Sequence, residues 1–350
     1  MRFLGSFLVA WLVVCAGYFC LTRLVDPRGD FGTGLFPRLV ADSRTTKMEL
    51  FRERTRTGAV AGLVLGSSRS MKLRPVDLEG RLGLPFFNFA VDNGRVEDYL
   101  AVYRWVRQQG VRPRLLVIGL DLEALHNADV PDPRLLACRP MWSQIRRELA
   151  PHLDWRQRGR RAWGAQARTL NPQYGADLMR SVRLALGPGK GMPARMSFER
   201  DGYLRSPLVE EQRAAGRFDL EAAIAQSTEE YTVRFADMTG LSAWRRAMLE
   251  ELITEAQGDG ADARVWLTAI HPRTAEQLAQ RTSYGRLLVS AREYLETVGR
   301  QCRVPTFDFS EPGRFGGNLE DWYDGGHIDA RNAELVVAKL AGAPQQPGSR

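Results

Sequence analysis

The chain has few of the residues that build metal centres. Its 350 residues include four cysteines and four histidines, with no Cys-x-x-Cys pair and no Cys/His cluster, so the sequence indicates neither a metal site nor a cofactor. It also lacks zinc-finger spacing, an RNP-like segment and a basic region followed by heptads. These absences argue against nucleic-acid binding despite a formal net charge of +8. The charge comes from scattered arginines, as in RQRGRRAW at 157–164.

The few cysteines leave one question open. Two of them lie in the apolar N-terminal run, so only Cys138 and Cys302 remain in the rest of the chain. They form a disulfide if the protein occupies an oxidising compartment, or both are small buried hydrophobic residues. The sequence allows both interpretations.

The N-terminal run itself is uncharged from Phe3 to Thr22, with the sequence FLGSFLVAWLVVCAGYFCLT. A membrane-spanning helix needs about 20 such residues. A cleaved signal peptide would have a shorter apolar core and an Ala-x-Ala-like site, which are not evident here. The valine before Cys15 departs from a good lipoprotein box. We therefore expect an uncleaved transmembrane anchor at 3–22.

The charges that flank this anchor bear on its orientation. Arg23, Arg28 and Arg38 follow it, whereas Arg2 and the free amine precede it. This bias favours a cytoplasmic body. An extracytoplasmic location therefore cannot be derived from charge.

After a linker and a first helix at 23–58, the pattern becomes that of an α/β domain over 59–345. Apolar runs of strand length occur at 60–65, 85–89, 114–119, 264–270 and 304–308. Helical patterns alternate with them at 96–110, 242–258, 285–301 and 329–342. Continuous hydrophobicity is typical of parallel strands buried on both faces. We expect a mostly parallel five-stranded sheet with helices on both faces, a three-layer sandwich.

The region at 126–240 departs from this alternation. It is helix-like, rich in arginine and tryptophan, and broken by LGPGKGMPAR at 186–195. We interpret it as a mainly helical insertion that caps or flanks the sheet.

The segment AGLVLGSSRS at 61–70 is the first candidate for chemistry. Its apolar half predicts a buried strand, and Gly66 allows a sharp turn at the strand's end. Ser68 then lies where ligands bind in parallel sheets, beyond the carboxyl ends of the strands. The pattern Gly-x-Ser-x-Ser lacks the second glycine of the hydrolase elbow. A glycine–serine turn explains it equally well unless a base activates Ser68.

The base has to come from the four histidines, His126, His152, His271 and His327. His327 has the best setting, because DWYDGGHID places Asp324 three residues before it, across two glycines and just before a helix. An aspartate there can accept the Nδ1 proton and leave Nε2 free as a base. The alternative interpretation makes Asp324 a turn residue and Asp329 a helix cap.

The order of these parts resembles the SGNH/GDSL hydrolase superfamily. The closest likeness is to its membrane-anchored, extracytoplasmic branch, which includes alginate-type O-acetyltransferases and the teichoic-acid D-alanylation protein. VLGSSRS, FNFAVDNGRVEDYL, RLLVIGLDLEAL, AIHP and DWYDGGHID carry the resemblance over about 60–342, with 126–240 unmatched. It implies an SGNH/flavodoxin-like fold with Ser68 as nucleophile, His327 as general base and Asp324 as its orienting partner.

The resemblance also implies an oxyanion hole. Gly94 suits the glycine donor of the family, and Asn93 or Asn88 could supply the asparagine amide. The family often has an asparagine where this chain has Asp121, and an aspartate where it has Ser67. These departures leave room for a weak or inactive enzyme.

Two further residues are candidates for contact with substrate. Arg69 follows Ser68, and it either binds an anionic group or pairs with an acidic neighbour. His271 follows a predicted strand, near the edge where the active site is expected.

Two functions follow from these observations. The first is an anchored serine esterase or O-acyltransferase that acts on envelope or exported polysaccharide, with a possible membrane-embedded acyl-transfer partner. The second is a non-catalytic module that binds polysaccharide or assists assembly of an envelope complex. The resemblance implies an inner-membrane protein with an extracytoplasmic domain.

Overall fold

The computed structural model describes residues 2–27, 35–36, 43–127, 130–153, 169, 172–186 and 197–342. The predicted basic segment at 157–164, most of the predicted linker and nearly all of the glycine-proline segment at 186–195 lie outside the described residues. The described residues form an α/β structure around an all-parallel sheet of five strands.

The sheet contains all five predicted strands. The strands of the chain are β1 Gly62–Leu65, β2 Phe86–Asn88, β3 Leu115–Leu120, β4 Ser197–Phe198, β5 Leu204–Arg205, β6 Asp262–Leu267 and β7 Thr306–Asp308. The order in the sheet is β2-β1-β3-β6-β7, and β4 and β5 form a separate antiparallel hairpin. β6 ends before the predicted 270, because Thr268 turns its hydroxyl toward Asp121 and His271 caps the next helix.

The predicted helices are present, with others between them. They are α1 Arg2–Val25, α2 Ser43–Thr57, α3 Pro75–Leu82, α4 Val96–Gln108, α5 Pro133–Ala137, α6 Arg139–Leu149, α7 Pro172–Leu186, α8 Pro207–Ala214, α9 Leu220–Phe235, α10 Ala243–Gly258, α11 Pro272–Arg281, α12 Tyr284–Gln301 and α13 Ala330–Ala341. Side-chain caps begin two of the predicted ones: Ser242 accepts from the N–H of Arg245, and Asp329 accepts from two N–H groups of α13. Both side chains accept hydrogen bonds from backbone N–H groups in the first turn, which have no acceptor within the helix.

Burial of both sheet faces explains the continuous apolar runs. Leu63 and Leu65 of β1 belong to one hydrophobic cluster, which includes residues of α4, α10 and α12. Val64 belongs to a second cluster, with residues of α3 and α13. Burying one such side chain stabilises the fold by about 1.5–3 kcal/mol. Because both faces of the sheet are buried, the strands are apolar at successive positions and do not alternate between apolar and polar residues.

The described part of the region at 126–240 is mainly helical, as predicted. It is also continuous with the core. Trp142 and Ile145 of α6 and Tyr231 and Phe235 of α9 are buried in the first hydrophobic cluster. The insertion therefore shares the core of the α/β domain.

The N-terminal helix α1 contains a segment, Gly5–Val25, that is long and apolar enough to cross a membrane. The side chains of Phe7 and Val13 are 57% and 66% exposed in the absence of a bilayer, whereas Thr22 and Val25 are fully buried. The predicted anchor at 3–22 lies within this helix.

Neither of the two cysteines outside the apolar N-terminal helix is in a disulfide. Cys138 is buried with its sulfur 3.8 Å from the sulfur of Met48, and Cys302 ends α12. They are therefore not a disulfide pair in this structure.

Candidate active site

Ser68 lies in the loop that leaves β1 near the middle of the sheet. Gly66 begins the turn with a φ of 151°, a backbone conformation that glycine adopts readily and other residues rarely adopt. A short 3-10 helix, Ser70–Lys72, follows. Since β1 lies between β2 and β3, Ser68 is at the carboxyl edge of the sheet with loops from both neighbours beside it.

The loop at 324–327 is organised by the Asp324 carboxylate. Its Oδ1 atom accepts the backbone N–H groups of Gly326, at 2.7 Å, and of His327, at 2.9 Å. The two glycines allow close contact with the insertion: an added Cβ on Gly326 would lie 2.1 Å from the Tyr231 hydroxyl, and the Gly325 N–H donates to the Ser227 hydroxyl.

These two loops bring three polar side chains into one hydrogen-bonded chain. The Ser68 Oγ lies 2.8 Å from Nε2 of His327. Nδ1 of the same ring lies 2.9 Å from each oxygen of Asp324. The imidazole of His327 and the carboxylate of Asp324 remain 22% and 30% exposed, so both side chains are accessible to solvent. A nucleophile, a base and an orienting group require this geometry.

Asp324 is held in its ionised form. Burial alone would raise the pKa of its carboxyl, but the charge of His327, the imidazole hydrogen bond and the two backbone N–H groups lower that pKa below its ordinary value. An ionised Asp324 favours the tautomer in which Nδ1 carries the proton and Nε2 faces Ser68.

Two of the three predicted oxyanion donors have other hydrogen-bond partners. The Asn88 side chain is fully buried and donates to the carbonyl oxygens of Ser70 and Leu73. The Gly94 N–H donates to the carbonyl of Val91 at 3.0 Å. The structure thus assigns Asn88 and Gly94 to support of the loops that follow β1 and β2.

Asn93 is the remaining candidate. Its φ of 51° places it in the left-handed region, and it lines the small polar cleft beside Ser68. The Asn93 side-chain N–H donates to Asp132 at 3.5 Å, and its amide oxygen accepts from the guanidinium of Arg234 at 3.4 Å. Among the described residues, the backbone N–H of Ser68 has no hydrogen-bond acceptor. The backbone N–H of Ser68 and the weakly held side-chain N–H of Asn93 are therefore the two candidate oxyanion donors in this cleft.

Arg69 pairs with acidic neighbours, which was one of its two predicted roles. Its guanidinium makes a two-point contact with Glu123 at 2.7 and 3.2 Å, and lies 3.8 Å from Asp121. Burial alone would lower the pKa of Arg69, but Glu123, Tyr231 and Asp121 raise it well above its ordinary value. Burial raises the pKa of Asp121, with the positive charge of Arg69 opposing that shift.

The other histidines have structural surroundings. His271 caps α11 through Nδ1, which accepts the N–H of Arg273, and its ring packs edge-on against Trp322. His126 contacts the carbonyl of Arg234, and the ring of His152 stacks on Trp244. The predicted contact of His271 with substrate has no support in this geometry, because the ring is buried in packing.

Sequence inspection missed Lys72, which follows Ser68 in the same loop. Its ammonium donates to the Ser206 hydroxyl at 2.8 Å and lies 3.9 Å from the centre of the Tyr323 ring. Burial lowers its pKa to about 8, although Asp324 opposes the shift. The position of Lys72, four residues after Ser68, was the only available signal. Lys72 therefore links the loop that contains Ser68 to the loop that contains Asp324 and His327, through its contact with Tyr323.

Among the residues that the structure describes, no three His, Cys, Asp or Glu side chains are grouped so that they could hold a metal ion. No protein-family model matches the chain, and no curated protein matches it. The chemistry of the site therefore has to be argued from its own geometry.

Proposed function

We propose that the chain is a membrane-anchored serine esterase or O-acyltransferase of the SGNH/GDSL type. One observation carries this proposal: Ser68, His327 and Asp324 form a continuous hydrogen-bonded chain at the carboxyl edge of the sheet. A turn would explain Asp324 and a helix cap would explain Asp329, but neither gives a reason for an imidazole nitrogen to face the Ser68 hydroxyl.

The proposed reaction has two half-reactions. As Ser68 Oγ attacks the carbonyl carbon of an acyl ester, Nε2 of His327 takes the hydroxyl proton. The tetrahedral intermediate collapses, the ester C–O bond breaks, and His327 returns the proton to the departing alkoxide. Water or a sugar hydroxyl then attacks the acyl-serine as His327 takes its proton. The second tetrahedral intermediate collapses, the bond between the acyl carbon and Ser68 Oγ breaks, and His327 returns the proton to Ser68 as the free acid or the new sugar ester leaves.

Charge stabilisation in this scheme comes from two donors. The Ser68 N–H and the Asn93 amide would stabilise the oxyanion, and one such donor contributes about 3–4 kcal/mol to catalysis. Asp324 stays ionised and stabilises the imidazolium that forms during each half-reaction.

The proposal includes the fold type, a three-layer sandwich like that of the SGNH hydrolases. Two observations support a three-layer, SGNH-type sandwich: helices contribute to hydrophobic clusters on both faces of the sheet, and the strand order is β2-β1-β3-β6-β7. By resemblance, we propose that the domain is extracytoplasmic at the inner membrane, that it acts on envelope or exported polysaccharide, and that a membrane-embedded partner supplies the acyl group.

The proposal is tested by a fluorophosphonate probe on the full chain in detergent. Such a probe reacts with an activated serine whether the natural acceptor is water or sugar. We expect labelling of the parent and none of Ser68→Ala. Ser70→Ala is the matched control, because the Ser70 hydroxyl is buried in the same loop and is not hydrogen-bonded to any described residue. Labelling that survives in Ser68→Ala would contradict the proposal.

A second function is favoured by one observation. The N–H groups of Asn88 and Gly94 donate to carbonyl oxygens within the fold. Asp121, whose side chain has no amide donor, occupies the position where the family often has an asparagine. A site with a poor oxyanion hole suits a non-catalytic polysaccharide-binding or assembly protein. A folded parent that does not react with the probe, yet binds glycan in a direct assay, would favour this second function.

A further inference from the structure

The helix α7 has an exposed face of unusual composition for a protein surface. Its side chains Tyr174, Leu178 and Ser181 are buried, which leaves the opposite face exposed. Met179 and Leu186 on the exposed side are 53% and 80% exposed. Large apolar side chains grouped on one exposed helix face indicate an interaction site.

The charge on this exposed face has one sign. Arg180 and Arg183 lie on it, between the apolar side chains. Asp177 is the only acidic residue of the helix, and it is buried. Arginines combined with large apolar residues suit the boundary between lipid headgroups and acyl chains.

The position of α7 points to the same partner. The helix contacts α1, and the Tyr18 hydroxyl of α1 donates to the carbonyl of Thr169, just before α7. Thr22 and Val25 are the described residues of α1 that are fully buried, and they belong to the apolar segment Gly5–Val25. At 1.5 Å per residue this segment is about 30 Å long, the thickness of a bilayer core. Tyr18 lies seven residues, about 10 Å, before the end of this segment, so an element that contacts it lies close to the boundary between acyl chains and headgroups.

We propose that α7 is an interfacial helix whose exposed face binds the surface of the bilayer that α1 spans. Met179 and Leu186 enter the acyl-chain boundary, while Arg180 and Arg183 bind anionic headgroups. This contact adds a second attachment point and limits rotation of the domain about α1. The proposal rests on the span of α1 and not on the chemistry of Ser68, so the two can fail separately.

The test places a photoreactive p-benzoylphenylalanine in the full chain, reconstituted into vesicles of phosphatidylcholine and phosphatidylglycerol. The test position is Met179, and the matched control is Val289 of α12, which is 52% exposed against 53% for Met179. Leu12 of α1 is the positive control. After irradiation, mass spectrometry measures lipid adducts. We expect Met179 to form adducts at a level near that of Leu12 and several-fold above Val289.

Two further results decide the proposal. Arg180→Glu combined with Arg183→Glu should lower the adducts at Met179 in these vesicles several-fold, and leave those at Leu12 unchanged. Adducts at Met179 no higher than at Val289, or crosslinks to a second copy of the chain in their place, would overturn the proposal. If the Met179 variant fails to fold, Leu186 replaces it as the test position. Fluorophosphonate labelling of the same samples reports separately on the proposed function.

Discussion

The carboxylate of Asp324 both shapes its loop and contacts the imidazole of His327. One carboxylate oxygen accepts two backbone N–H groups and shapes the loop, and both oxygens lie 2.9 Å from Nδ1 of His327. Because the same group builds the loop and holds the imidazole, the side chain of His327 is positioned by its own turn. The sequence predicted this pair from the spacing Asp-x-x-His.

Asp324→Asn should lower the rate of fluorophosphonate labelling by about a hundredfold or more, because an amide does not favour the tautomer with Nε2 free. Time courses of labelling measure this rate. Asp321→Asn is the control, since Asp321 is in the same loop and contacts Arg331, at 3.5 Å, instead of the imidazole. Equal rates for Asp324→Asn and the parent would show that the carboxylate does not orient the base.

The same variant has a pH signature in stability. The pKa of Asp324 is lower in the folded chain than its ordinary value of 3.8. The stabilisation that this shift provides is therefore present above that value and is lost as pH falls through the folded pKa. The difference in unfolding free energy between parent and Asp324→Asn should shrink as pH falls below about 4.

At the scale of elements, the hairpin β4–β5 docks beside the site. The Asn88 N–H donates to the carbonyl of Asp201 at 2.9 Å, and the buried ammonium of Lys47 on α2 donates to the carbonyl oxygens of Asn88, at 2.6 Å, and Gly202. Burial lowers the pKa of Lys47. These contacts hold the loop after β2 against the insertion. Strands of two residues are too short to show a pattern in the sequence, so the hairpin was not predicted.

Gly202→Ala should destabilise the chain more than Gly216→Ala. Both glycines have positive φ, 85° and 63°, which costs an alanine about 1–2 kcal/mol. At Gly202 the added Cβ would also lie 2.2 Å from the carbonyl oxygen of Asn88, whereas Gly216 has open space. Overpacking of this kind adds about 1–3 kcal/mol. Urea unfolding followed by tryptophan fluorescence measures both, and equal losses would mean that the hairpin is not docked as described.

At the scale of the whole molecule, the α/β body is joined to α1, a helix that is long and apolar enough to cross a bilayer. The apolar side chains in the first part of α1 are exposed, whereas Thr22 and Val25 in its last turns are fully buried. The two parts of the helix therefore have different environments.

Val13→Asp tests the anchor. A carboxylate in the middle of a spanning helix opposes insertion by about 2.5–3.5 kcal/mol. We expect the parent to remain with the membrane after alkaline carbonate extraction and a substantial part of Val13→Asp to become soluble. Val76→Asp is the control, at an exposed position on α3. Retention of Val13→Asp at the level of the parent would contradict insertion through α1.

The sequence by itself determined the elements and the place of the candidate site residues. Apolar runs and helical periodicity are local patterns, so they located the five strands and the apolar N-terminal helix. Strand ends located Ser68 and His327 at one edge. The tertiary structure decided which polar groups remain available there. The amides of Asn88 and Gly94 are engaged by carbonyl oxygens of neighbouring loops, and Arg69 by Glu123. Hydrogen-bond partners depend on the folded path of the backbone, which no local pattern records.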